Sequence, residues 1–145
     1  MLTANTSTLQ TICRVALGLA MIFAGVGHLT FARVEFTAQV PKWLPMDEDS
    51  VVVASGVVEI ILGAALAFLG KYKVYIGLFL AVFYVLVFPG NISQYTNHIN
   101  AFHLNSDTAR LIRLFFQPVL IAWALWSTGA WTAWRNRNSS QTRIS

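Results

Sequence analysis

Four long apolar runs, each close to the roughly 20 residues that cross a hydrocarbon core, decide what this chain can fold into. They cover about 12–31, 51–70, 74–96 and 110–134. Each holds at most a few ionisable residues. Hydrophobic residues make up 56% of the 145 positions and charged residues 11%, less than half the roughly 25% usual in a soluble domain. That is too little charge to coat a water-soluble globule of this size. The expected fold class is all-α, an integral membrane four-helix bundle within one domain, 1–134. A basic tail, 135–145, is expected to be disordered.

The first run starts after a polar stretch ending at Cys13 and lacks a clear small-residue cleavage pattern, so it is read as a retained span rather than a signal peptide. The formal net charge is +4. The basic residues lie between apolar runs and in the tail, which suits lipid-facing loops and not a nucleic-acid face. Cys13 is the single cysteine, so this chain alone has no dithiol redox chemistry. Arg14, Lys71, Lys73, Arg135, Arg137 and Arg143 collect on one side, against Arg33, Lys42, Arg110 and Arg113 on the other. By the positive-inside rule both termini are expected in the cytoplasm. Tyr72, Tyr75, Trp131 and Trp134 would form an inner aromatic belt, with Trp43 and Tyr95 at the outer boundary.

Counting along each helix at about 1.5 Å per residue puts His28, Glu59, Asn91, Arg113 and Gln117 in the same outer half. Arg14, Gly18, Met21, Gly25 and His28 share one stripe, as do Ser55, Glu59 and Gly63, and Arg110, Arg113 and Gln117. Small residues on such stripes let helices approach closely in lipid. Pro89 frees the carbonyl of Val85, and irregular backbone at that depth needs a polar partner. A carboxylate at the depth of Glu59 costs several kcal/mol unless paired or neutralised. Arg113 or His28 could pair with it, and a carboxyl beside a histidine can move protons.

The candidate polar pocket is therefore His28, Glu59, Asn91, Arg113 and Gln117, with Arg14, Ser55 and Pro89 secondary. Arg14 is more simply an inner anchor whose head snorkels to the interface. The competing reading is a hydrogen-bonded knot that orders the helices. The functional reading is preferred because ionisable groups within spans are costly and usually serve a purpose. His98 and His103 are a poor metal pair in a polar loop, and His28 with Glu59 lacks an evident third ligand, so no metal site is expected. The segment 40–45 cannot be regular helix, because Pro45 lacks a donor and Pro41 restricts Val40.

Five motifs, in this order, carry a resemblance: Ala24-Gly-Val-Gly-His28, Val40-Pro-Lys-Trp-Leu-Pro45, Ser55-Gly-Val-Val-Glu59, Phe88-Pro-Gly-Asn-Ile92 and Arg113-Leu-Phe-Phe-Gln117. Over about 14–126 the chain resembles the DoxX-like family of small bacterial membrane proteins. That resemblance implies a four-helix membrane bundle. It also implies a redox link, since members are similar to a subunit of a thiosulfate:quinone oxidoreductase or to membrane partners of oxidative-stress proteins. The expectation is a redox-linked accessory subunit whose polar pocket takes a quinone or small molecule, without a covalent cofactor. Its expected partners are the lipid bilayer and a membrane or redox subunit, with self-association compatible and nucleic acid not. The alternative is a non-catalytic scaffold or assembly factor. A small-solute carrier ranks lower, because four helices without an inverted repeat make a poor alternating-access machine.

Overall fold

The computed structural model describes residues 1–142 and contains, among them, six α-helices. They are α1 (Thr8–Leu29), α2 (Arg33–Gln39), α3 (Glu48–Phe68), α4 (Lys73–Thr96), α5 (Asp107–Ser127) and α6 (Ala130–Thr142). Helices α1, α3, α4 and α5, the third counted with the 3-10 turn Gly70–Tyr72 before α4, are long and apolar enough to cross a membrane. Their starts follow from local chemistry. Ser7 and Gln10 form a reciprocal capping box at α1, while Asp47 and Ser106 accept from Ser50 and Ala109 amides at α3 and α5. Each satisfies a backbone donor that has no partner inside the helix.

The bundle is built from two tight pairs, α1 with α3 and α4 with α5. They meet in a core of Leu17, Met21, Leu66, Leu80, Tyr84 and Ala124. The stripe Arg14, Gly18, Met21, Gly25 and His28 is buried, as its spacing predicts. A Cβ at Gly18 would lie 2.7 Å from the Gly63 carbonyl oxygen, and one at Gly25 would lie 2.6 Å from that of Gly56. The α1 and α3 backbones touch there, and only glycine leaves room. The outward faces remain apolar: Phe23, Ile61, Phe79, Leu86 and Phe115 are all largely exposed. Such a surface is unfavourable in water and suits lipid.

Three expectations need correction. The fourth run is not one helix over 110–134: it stops at Ser127 and restarts at Ala130. Gly129 at φ +71° makes the break, the usual use of glycine just beyond a helix end. The segment from Arg135 is helical as far as Thr142, because α6 docks Ala130 and Ala133 beside Val74, with Leu2, Ala4 and Leu78 packed around them. The rest of the expected disordered tail, 143–145, lies outside the described residues. Finally, Arg14 does not snorkel. It is buried and donates to the Leu66 and Ala67 carbonyls at the end of α3, where free carbonyls favour a cation.

Both termini of the described chain lie at one end of the bundle. The Leu2 amide donates to the Tyr75 hydroxyl at 2.8 Å, and a Cβ at Gly129 would meet Ala4. The opposite end carries α2, the loop with Trp43, and the loop between α4 and α5. There the acidic run is consumed locally: Asp49 pairs with Arg33, Glu48 with Lys42, and Asp47 caps α3.

Candidate functional site

The five candidate residues separate into two groups. Glu59 of α3 meets His28 of α1, with Oε2 2.7 Å from Nδ1 and both side chains about nine-tenths buried. The close packing of Gly25 on Gly56 brings the two helices near enough for this contact. The same Nδ1 lies 3.0 Å from the Ala24 carbonyl, and Glu59 Oε2 has no aligned donor among the described residues. Glu59 and His28 are thus in close contact without a directed hydrogen bond between them. With Nδ1 engaged on both, Nε2 is the ring nitrogen left for another partner. Of the two partners expected for Glu59, it is His28 that makes the contact.

The second group braces α4 against α5. Asn91 Nδ2 donates to Gln117 Oε1 at 2.9 Å, and Gln117 Nε2 donates to the Tyr84 carbonyl at 2.8 Å. That carbonyl is one residue before the one Pro89 frees. Arg113 donates to Asn91 and Gln39 at 3.4 Å each. Gln39 Nε2 donates in turn to Gln94 Oε1 at 2.6 Å. Every member has a partner, as a buried polar network requires. Replacing Gln117 with leucine strands the Asn91 amide and removes the second donor to the Tyr84 carbonyl. The expected cost is about 1–3 kcal/mol, read as a lowered Tm in detergent, with helix content unchanged at low temperature.

A column of rings joins the two groups. The His28 imidazole stacks on Phe36 with centroids 3.4 Å apart, Phe36 meets Phe102 edge-on at 4.7 Å, and Arg113 lies over Phe102 at 4.8 Å. Phe102 sits at φ +55°, a strained setting for a bulky residue. The loop between α4 and α5 accepts that strain to place the ring. Gln39, Gln94, Phe36 and Phe102 were not singled out from the sequence. Gln94 could have been, since it lies three residues after Asn91 on one helical face. Gln39 and Phe36 belong to the short α2, which no long apolar run announces.

Beside His28 a cleft of about 340 Å³ opens between α2, α3 and α4. Its walls are apolar, with Phe36, Val40, Val52, Val58, Leu86 and Val87 among them, while His28, Gln39 and Ser55 supply polar atoms. Trp43 and Pro89 also line a second depression, of about 760 Å³, toward Ile99. Of the sequence candidates, His28, Ser55 and Pro89 line the cleft, whereas Glu59, Asn91, Arg113 and Gln117 do not. Glu59 reaches it through His28. Gln39 belongs to both the cleft and the amide brace.

Fold and site together define a class of helical protein: four apolar helices long enough to cross a membrane, in two pairs, with a side cleft next to a buried His–Glu contact. Residues 17–128 match the family described as a domain of unknown function (DUF8561), and the chain belongs to that family. No curated protein matches the chain, and no solved structure does.

Proposed function

We propose that this chain is a redox-linked accessory subunit of DoxX-like kind in a bacterial inner membrane, and that its outer-half cleft takes the ring of a quinone. Both termini face the cytoplasm in this reading, following the six-to-four distribution of basic residues. The observation that carries it is the apolar cleft of about 340 Å³ with His28 in its wall. The volume lies at the low end of small-molecule sites, about 300–1,000 Å³, so it suits one ring with its tail left in lipid. Residues from four of the five motifs behind the DoxX-like resemblance line it: His28, then Val40, Pro41, Trp43 and Leu44, then Ser55, and Pro89 with Gly90. In the imidazolium form His28 donates from Nδ1 to the Ala24 carbonyl, beside the Glu59 carboxyl, and from Nε2 to a quinone carbonyl. The Glu59 carboxylate is its counter-ion, and Gln39 offers a second polar contact. Electrons would come from a partner subunit.

Trp43 at the cleft edge supplies the test. A short-tailed quinone titrated into the purified protein should quench tryptophan fluorescence saturably. The quench should shrink in Trp43→Phe and vanish in Ala54→Phe, which fills the cleft from α3. Equal saturable quenching in wild type and Ala54→Phe would reject the site.

A second reading, a non-catalytic scaffold, draws on the amide brace. Asn91, Gln117, Arg113, Gln39 and Gln94 satisfy one another and leave little for a ligand. We assign those residues to holding α2, α4 and α5 together, and keep the ligand for the cleft.

A further inference from the structure

We propose that the end of the bundle carrying both termini is a binding surface for anionic lipid headgroups. The proposal rests on the reading of this chain as membrane-spanning. All six acidic residues of the chain lie in 35–59 or at Asp107, hence in the opposite end or the middle of the bundle. The cations at the opposite end are largely neutralised there: Arg33 by Asp49, Lys42 by Glu48, and Arg110 by Asp107. At the terminal end Arg14, Lys71, Lys73, Arg135 and Arg137 have no acidic neighbour in sequence, and no ion pair involves them among the described residues. The whole positive excess of the chain is therefore on one face.

These cations differ in role. Arg14 is buried against α3 carbonyls, and Lys73 donates to the Thr6 hydroxyl at 2.7 Å. Lys71, Arg135 and Arg137 are exposed, so they can meet an external anion. The surface beside them is not that of a soluble-anion site. Trp131 and Trp134, three residues apart on α6, form an exposed tilted pair 5.9 Å between centroids. Phe68 and Leu69 are exposed just before Lys71. Aromatic rings beside cations, continuous with apolar helix surface, match the headgroup layer of a membrane. Opposite charge then selects anionic lipid within that layer. Helix α6 is held to this level by Ala130 and Ala133 against Val74, and Arg135 and Arg137 follow two and four residues after Ala133.

The test uses the full chain in mild detergent, with native mass spectrometry of retained phosphatidylglycerol and phosphatidylcholine. Each exposed cation near a lipid surface contributes roughly a fivefold preference, so wild type should favour the anionic lipid by about a hundredfold. Lys71→Gln with Arg135→Gln and Arg137→Gln should abolish the preference. Lys71→Arg with Arg135→Lys and Arg137→Lys should retain it. In wild type the preference should fall as sodium chloride rises from about 0.05 to 0.5 M, a reading that needs no variant to fold. Equal retention of the two lipids by wild type overturns the proposal. So does displacement of phosphatidylglycerol by millimolar inorganic phosphate at constant ionic strength, which would mark a free-phosphate site. A chain that stays monodisperse without detergent and retains neither lipid would instead remove the spanning reading beneath it.

Discussion

Gly63→Leu should separate α1 from α3 and leave little folded protein. A Cβ at Gly63 would lie 2.6 Å from the Gly18 carbonyl oxygen and 3.0 Å from the Ile22 amide nitrogen. Both obstacles are backbone, so no side-chain rotation relieves them. Alanine alone forces a shift, and overpacking of this kind costs about 1–3 kcal/mol. Leucine must push the helices apart over several turns. It then forfeits the Gly25–Gly56 contact and, one turn from position 63, the 2.7 Å approach of Glu59 to His28. We expect a combined loss beyond about 3 kcal/mol. The measure is the yield of monodisperse protein and its Tm in detergent, beside Gly70→Ala, where the nearest atom to an added Cβ is an Arg14 nitrogen at 3.5 Å. A Gly63→Leu protein with wild-type Tm would show that α1 and α3 do not rely on this contact.

Two substitutions at Glu59 should have unlike effects. Glu59→Ala removes a nine-tenths-buried counter-ion and opens a gap beside His28, and breaking one side of a buried pair costs about 3–5 kcal/mol. Glu59→Gln keeps the shape and loses the charge. Its Tm should move far less, whereas quinone affinity should fall about ten- to a hundredfold, the share of a charge-assisted hydrogen bond. The contrast separates the two readings. If the His28–Glu59 contact only orders helices, Glu59→Gln will lower folded yield and binding together. If it serves the cleft, a well-folded Glu59→Gln protein will bind quinone poorly.

The four long apolar helices are legible because runs of about 20 apolar residues stand out in the sequence. Their ends were less so. Polar Thr8 to Thr11 join α1 because Ser7 and Gln10 form a capping box, a signal that the apolar run itself does not carry. Gly129 within 110–134 is a stop signal that the apolar run masks, and α6 is hidden because only Ala130 and Ala133 bury a surface there. The meeting of His28 with Glu59 was legible from depth, since antiparallel helices of known rise bring residues at equal height side by side. Depth does not give direction around the helix axis. Asn91, Arg113 and Gln117 therefore share a level with His28 yet turn to other partners, Asn91 and Gln117 to each other and Arg113 to Asn91 and Gln39. The cleft was not legible at all, because its far wall is the segment from Val40 to Leu44 folded over α3 and α4. Pro41 showed that this segment could not be helical, without showing where it would lie.

The most direct test of the cleft is mass spectrometry of the lipophilic small molecules that co-purify with the protein in mild detergent, comparing wild type with Ala54→Phe and Glu59→Gln. The account predicts a quinone retained by wild type, absent from Ala54→Phe and depleted in Glu59→Gln, with all three proteins equally folded. A wild-type protein that retains no quinone, or a quinone retained equally by all three, would contradict it.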